Sequence, residues 1–353
     1  MSALRTPICD ALGIEYPIVQ TGMGWVSGAG LTAATSAAGG LGILASATMT
    51  YAELQRAIHQ VQEHTDRPFG VNLRTDHEDV DRRIGLIIEQ GVRVASFAQA
   101  PGEAAVKRLK DAGVFTMPTI GAVRHAEKVS AWGVDALIAQ GHEGGGHTGP
   151  VATTILLPRV CAAVDIPVLG AGGFFDGRGL VAALAYGAAG IAMGTRFLLT
   201  RESTVPDDVK DVYLRTSAKG TVVTTAIDGY PQRMIRTPMV DALERAGGAK
   251  AFLVALRNAL RFRQLTGATL GGLIREGLAM RKTQGLTWAQ LFLAANAPML
   301  TRASMVDGRH EVGILPTGQV TGAIEELPTV EELLERIIDE ARQTLRALGV
   351  PHD

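Results

Sequence analysis

The chain is poor in cysteine: two in 353 residues, Cys9 and Cys161, standing apart in apolar surroundings. They match no metal-ligand spacing and no disulfide framework, so the expected compartment is the reducing cytoplasm. Charge of one sign is missing as well. The formal net charge is −1, which leaves no electrostatic footprint for nucleic acid or an anionic membrane. No run of about 18 apolar residues occurs, the length a spanning helix needs. The opening MSALRTPICDALGIEYP lacks the long apolar core of a signal peptide. Aromatics make up only 5%. What is present is glycine, 42 residues of it, in a composition 46% hydrophobic and 20% charged. Such a chain can build a core and is not disordered. Its small residues suit helices packed closely on a sheet.

Short apolar runs recur along the first part of the chain. They are PIVQT (17–21), LGILAS (41–46), FGVNLR (69–74), VRVASFA (92–98), VFTMPTI (114–120), ALIAQG (136–141), PVLGAG (167–172) and GIAMGT (190–195). Each is apolar on both faces, as a parallel strand covered by helices must be. Amphipathic segments of helix length lie between them, as in 51–65, 78–91 and 102–113, the last two ending in glycine. An alternation of eight such strands with helices predicts an α/β fold, a (β/α)8 TIM barrel. A doubly wound open sheet uses the same unit, but the count of eight favours the barrel.

After residue 203 the pattern becomes helical, as in 249–265 and 286–300, and no further strand series is evident. The expected organisation is a barrel over 1–203, a mainly helical substrate or lid region over 204–327, and a C-terminal helix over 328–353 that packs back on the barrel. That last helix opens with a Thr cap before Glu residues and has basic residues near its end. The amphipathic segments 249–265 and 286–300 would serve either a homodimer interface or a bundle within one chain.

In a barrel of this kind chemistry sits at the C-terminal ends of the strands. Thr21, Gly22 and Met23 follow the first strand, and Asn72 ends the third. QGHEGGGHTGP (140–150) follows the sixth, GAGGFFDGRG (170–179) the seventh and MGTRF (193–197) the eighth. Gly172, Gly173 and Gly194 would offer backbone amides, and Thr195 a hydroxyl, as a phosphate cradle next to a helix start near 176–179. The plainer alternative is that these glycines only make tight turns. Gln140 should face the mouth, with the glycines wrapped around a flat ligand. His147, on this glycine-rich backbone, can take or give a proton near neutral pH; a histidine that merely bonds a loop carbonyl is the plainer alternative, and the better one for His142. Glu143 either orients a histidine or anchors the loop. The spacing of His142, Glu143 and His147 is unlike H-E-x-x-H on a helix, and no metal is expected. No lysine stands at a strand end, which counts against a Schiff-base lyase or isomerase using the same cradle.

These residues carry a family resemblance. The segment Gln140-Gly141-His142-Glu143-Gly144-Gly145-Gly146-His147-Thr148-Gly149 resembles the Q-G-x-E-x-G-G-H-x-G pattern of the nitronate monooxygenases, formerly 2-nitropropane dioxygenases, with glycine at 144 where alanine is frequent. Residues 172–203, PIVQTGMGWVSG (17–28), GVNLR (70–74) and TGQVTGAIEELP (317–328) are similar to other segments of that family. The resemblance implies an FMN-binding barrel with a helical second domain, acting as a flavoprotein oxidoreductase. It places Met23, Asn72 and Gln140 on the flat or ribityl part of FMN and Gly172, Gly173, Gly194 and Thr195 on its phosphate. Thr21, Gly22, Gly145, Gly146 and Gln319 belong to the same cofactor site, and His147 is the implied catalytic acid or base. QTGMGW stands where many members have a proline before the methionine, which bears on the substrate side.

The same barrel hosts nitronate oxidation, quinone reduction by NAD(P)H and reduction of enoyl thioesters. A Thr-Thr pair just after the histidine loop (153–154) resembles the thioester reductases. VQTGMGWVSGAGL and LGILASATMT look most like a bacterial branch linked to steroid catabolism, with a CoA thioester as substrate. Trp25, Arg124, His125 and Lys128 are candidates to face so bulky a ligand.

Overall fold

Each of the eight apolar runs forms a strand in the computed structural model, which describes residues 4–75, 77–245 and 288–349, without the side chains of 288–296. The strands are β1 (Ile18–Gln20), β2 (Leu41–Ala45), β3 (Phe69–Leu73), β4 (Val94–Phe97), β5 (Phe115–Ile120), β6 (Leu137–Gln140), β7 (Val168–Ala171) and β8 (Gly190–Met193). All pairings are parallel, and β8 returns to β1 to close the barrel. The registers set Gln20 opposite Met193 and Gln140 opposite Ala171, so the loops after β1, β6, β7 and β8 open on one rim. β2, β3 and β4 are buried along their whole length. Ile43, Val94, Met117, Ile138 and Leu169 fill the interior, and a second apolar layer lies between strands and helices. The fold is thus the expected (β/α)8 barrel.

Polar side chains lock the joints of this frame. Arg83, in the helix Val80–Glu89, is only 2% exposed, yet every arm of its guanidinium is engaged: with Asp79 Oδ1 (2.5 Å), Ser46 O (2.7 Å) and Met49 O (2.7 Å). A buried cation is tolerated when it is paired and hydrogen-bonded in this way. It ties the helix after β3 to the loop after β2. The helices Tyr51–His64 and Val330–Ala347 both open on reciprocal capping boxes, Thr50 with Glu53 and Thr329 with Glu332.

The chain beyond β8 is more than helical. A short helix, Thr195–Leu198, and a longer one, Asp207–Leu214, lead into an antiparallel hairpin of β9 (Thr221–Thr224) and β10 (Gln232–Ile235). No strand pattern announces it: QRMI carries two polar residues that are nevertheless buried, and neither strand exceeds four residues. Its pairing is decided by tertiary contact rather than by local preference. The helices Pro238–Arg245 and Trp288–Met305 follow, so most of 286–300 is helical as expected, whereas the amphipathic segment 249–265 lies outside the described residues. No helix among the described residues is long and apolar enough to cross a membrane.

Val330–Ala347 closes the ring of outer helices by docking on Gly177–Ala185 and Ala29–Ala37. The approach is close at Gly177. A Cβ there would lie 2.3 Å from both Ala341 N and Ile337 O, backbone atoms that cannot swing away. Gly177→Ala is therefore expected to cost about 1–3 kcal/mol through overpacking. Thermal unfolding followed by circular dichroism should show a lower midpoint; an unchanged midpoint would mean that the two helices separate freely.

Candidate active site

The loop after β1 is shaped from below by a buried amide. Gln20 Nε2 donates to Thr21 O, Ser27 Oγ (2.8 Å) and Ile43 O (3.2 Å), and its Oε1 accepts from Ile43 N (3.3 Å). Ser27 Oγ in turn accepts from Met23 N (2.9 Å). The loop crosses directly over Asn72, where a Cβ on Gly22 would fall 2.4 Å from Asn72 Cβ. Asn72, nearly buried at the end of β3, donates through Nδ2 to Ser96 Oγ (3.2 Å). On the other side, a Cβ on Gly194 would stand 3.2 Å from both Met23 Sδ and Thr21 Oγ1. Thr21, Gly22, Met23, Asn72 and Gly194 therefore meet at one part of the mouth.

The loop 140–149 forms the opposite wall. Gln140 Nε2 donates to His147 O at 2.7 Å, and Gly144 lies against the Gln140 amide. Glu143 is turned away from both histidines. Its Oε2 accepts from Thr153 N (2.9 Å) and Thr153 Oγ1 (2.8 Å), the first residue of the helix Thr153–Cys161. A carboxylate at that helix end satisfies free amides and the helix dipole together, so Glu143 anchors the loop. The His142 ring meets only a loop carbonyl, Gly149 O, at 2.8 Å from Nδ1; the plainer alternative holds there. Gly145 and Gln319 come together: Gln319 N donates to Glu143 O (3.0 Å), and a Cβ on Gly145 would lie 2.5 Å from the Thr317 carbonyl carbon. Gly318 N donates to Thr195 Oγ1 (2.9 Å), which brings the 317–319 segment onto the loop after β8.

Gly172 and Gly173 both take φ near +89°, a conformation that side chains oppose. At Gly172 a Cβ would also press within 3.0 Å of Gly141 O and Gly144 N. The N–H groups of Gly172, Gly173 and Gly194 donate to no acceptor among the described residues. The following helix is a different case. Gly177 N donates to Glu340 Oε2 (2.9 Å) and Gly179 N to Asp176 Oδ1 (2.8 Å). The helix start near 176–179, expected from the sequence to share in an anion site, is already capped by carboxylates. The loop amides are the ones left for an anion.

His147 stands at the edge of this mouth, 64% exposed, with Nε2 at 2.8 Å from Asp228 Oδ2. Asp228 was not legible as a site residue: Asp228-Gly229 reads as an ordinary turn, and it is 81 residues from His147. The hairpin brings it there. Gly146 and His147 form a two-residue strand segment paired antiparallel with Arg233 and Gln232, and Thr148 N donates to Pro231 O (3.1 Å). Burial works to raise the Asp228 carboxyl. The hydrogen bond and charge of His147, with help from Gln232 and the Tyr230 N–H, outweigh it and hold the group below its ordinary value. The Tyr230 ring meets His147 edge to face, centroids 6.1 Å apart. An open pocket of about 480 Å³ beside Trp25 is lined also by Thr48, Tyr51, His77, Pro298 and the Asp79–Arg83 ion pair. Arg124, His125 and Lys128 lie instead on the helix Val123–Ala131, where Lys128 covers the Trp132 ring and Arg124 contacts His125.

A family model described as nitronate monooxygenase matches residues 5–81 and 77–340. A protein of Mycobacterium tuberculosis named (3aS,4S,5R,7aS)-5-hydroxy-7a-methyl-1-oxo-octahydro-1H-indene-4-carboxyl-CoA dehydrogenase is 58% identical over 341 residues, 96% of either chain. Its namesake in Rhodococcus jostii is 54% identical over 349 residues, 99% of either chain. Among solved structures, FabK from Thermotoga maritima is similar with a TM-score of 0.82 and 33% identity, covering 98% of this chain and 99% of that one.

The anchoring role of Glu143 has a direct consequence. Glu143→Ala leaves the Thr153 amide without its acceptor, while the hydroxyl keeps Gly172 O (2.9 Å), at a cost of about 1–3 kcal/mol. Amide exchange at Gly141–Gly146 should accelerate while the strands stay protected; unchanged exchange would show that the loop is held by other contacts.

Proposed function

The chain belongs to the nitronate monooxygenase family, and from that premise we propose that it is an FMN-dependent dehydrogenase of a bicyclic, steroid-derived CoA thioester, with His147 as its acid–base residue. The observation that carries this reading is one exposed histidine, backed by a carboxylate, on a glycine loop beside unpaired main-chain amides. The extent and names of the relatives supply the substrate class.

The mouth fits the cofactor. The amides of Gly172, Gly173 and Gly194 suit a phosphate dianion, and Thr195, whose oxygen accepts from Gly318 N, keeps its hydroxyl hydrogen to give. Thr21, Gly22, Met23, Asn72, Gln140, Gly145, Gly146 and Gln319 would hold the rest of FMN, the glycines by letting the main chain come close. FMN, when bound, supplies the acceptor or donor of a hydride at N5. The chain's residues orient the substrate and move the proton. A thioester carbonyl acidifies the hydrogen on its neighbouring carbon, and His147 is the base for that proton as hydride leaves the next carbon. The cavity beside Trp25 would seat an apolar ring system. The second region, from residue 204 on, would act as the lid that keeps this chemistry dry, over the barrel and its closing helix Val330–Ala347.

A second reading runs the same residues in reverse. NAD(P)H would then load the cofactor, and His147 would give a proton to an enoyl thioester. The Thr153–Thr154 pair next to the histidine loop favours it, since Thr153 is what fixes Glu143 and so the loop.

The deciding experiment is anaerobic. Purified holoprotein is mixed with an alkyl nitronate and, separately, with the hydroxy-indanone carboxyl-CoA of the relatives' names, and flavin absorbance is followed. Bleaching by the thioester is expected; bleaching by nitronate alone would place the chain among nitronate oxidases. His147→Ala should keep FMN bound, because the phosphate cradle lies elsewhere, and should lower thioester turnover by roughly 10²–10⁴-fold. Full turnover in that variant would remove His147 from the chemistry.

A further inference from the structure

We propose that Asp228 is the positioning residue for His147: it binds the Nε2 hydrogen, fixes the ring's tautomer and leaves Nδ1 as the nitrogen that exchanges the proton with substrate. This rests on His147 being the acid–base residue of the reading above.

The argument begins with what holds Asp228. Its Oδ1 accepts from Tyr230 N at 3.1 Å, within a turn closed by Gly229 N to Thr225 O (3.0 Å) and Ala226 N to Thr224 Oγ1 (3.1 Å). That leaves Oδ2 directed at His147 Nε2, 2.8 Å away. The carboxylate is 16% exposed and the imidazole 64%, so the charge is sheltered while the ring stays accessible. The backbone of His147 is fixed independently, by Gln140 on its carbonyl and by pairing with Gln232. Ring and carboxylate thus meet because two separate main-chain frameworks put them there.

The assignment of the proton follows from donor and acceptor chemistry. The Asp228 carboxyl is held below its ordinary value and is ionised near neutral pH. An ionised carboxylate only accepts, so the nitrogen bonded to it must carry hydrogen. In the neutral ring the lone pair is then on Nδ1. When Nδ1 takes a proton, Asp228 is the counter-charge to the imidazolium. The logic is that of the buried aspartate behind a catalytic histidine in the serine-protease triad, where it sets tautomer and orientation without being protonated itself. Among the described residues, the titratable groups against the ring are Asp228 and Tyr230. Glu143 and Arg233, on the same loop and hairpin, turn to Thr153 and to the His142 carbonyl.

The test uses the holoenzyme and two readouts. In Asp228→Asn, kcat/KM for the hydroxy-indanone carboxyl-CoA should fall roughly 10²–10⁴-fold with FMN content unchanged. Nitrogen NMR of that variant with labelled histidine should show neutral His147 losing its preference for hydrogen on Nε2, because an amide can donate to the ring where a carboxylate only accepts. A merely structural role would lower the rate and leave the tautomer unchanged. Wild-type kinetics in Asp228→Asn, with His147→Ala impaired, would overturn the proposal and leave His147 in its role. Full activity in both variants would overturn that role and the proposal with it. If Asp228→Asn does not fold, nitrogen NMR of the wild-type holoenzyme with labelled histidine decides. Hydrogen on Nε2 of neutral His147 is expected, and hydrogen on Nδ1 would refute the assignment.

Discussion

The mouth of this barrel depends on main chain meeting main chain. Gly172 sits within reach of Gly141 O and Gly144 N and Gly145 against Thr317 and Gly318, while Gly22 lies against the Asn72 side chain, each at a spacing that a Cβ would violate. Glycine makes such approaches feasible and loses more conformational entropy than other residues when fixed. The cost is offset by anchors at the loop's base. Glu143 draws it onto the helix at Thr153, and Gln140 draws its far end back by the His147 carbonyl. Those two ties act together with the pairing of His147 to Gln232 and the bond from Gln319 N to Glu143 O.

That constraint explains why the second region belongs to the site. The barrel places the loop's first residue, and the hairpin and the 316–319 segment place its last ones. Met234 bridges to Pro316, His147 pairs with Gln232, and Gln319 N reaches Glu143 O. The polar strand QRMI is intelligible in this light. Gln232 and Arg233 are buried because each has a partner: Gln232 supports Asp228, and Arg233 donates to His142 O at 3.1 Å. A buried polar group needs such satisfaction. The hairpin is thus held by the site as much as it holds the site.

Period and punctuation carried most of the barrel into view. Runs such as LGILAS and FGVNLR, apolar on both faces, have few alternatives to a buried parallel strand, and glycine clusters at their ends mark the mouth. The rest was hidden for stated reasons. Asp228 sits in a turn whose composition is that of any turn, and its role comes from a pairing with no sequence period. The helix start at Asp176–Gly179 had the look of an anion site, yet Glu340, far along the chain, already engages its first amide. Nothing local to residues 170–179 discloses that partner. Glu143, by contrast, was visible as important but not in which of two roles.

The Trp25 side of the mouth follows different rules from the glycine side. Trp25 is the only non-glycine residue among those described with positive φ, at 66°. An indole held in that region is strained, so its neighbours must over-determine it. They do: Trp25 N donates to Thr48 Oγ1 (3.2 Å), Nε1 donates to Pro298 O (3.0 Å), and the Arg302 guanidinium lies 5.5 Å from the ring centre. Two of these three contacts come from the helix Trp288–Met305. The first loop is thus braced by the second region as well as by its own turn, in which Val26 N and Ser27 N donate to Met23 O. On the proposed reading, selectivity for a bulky thioester over a small nitronate falls to a wall built from both regions. The Trp25 side of the mouth is such a wall, because the indole is held at once by Thr48 of the barrel and by Pro298 and Arg302 of the helix Trp288–Met305.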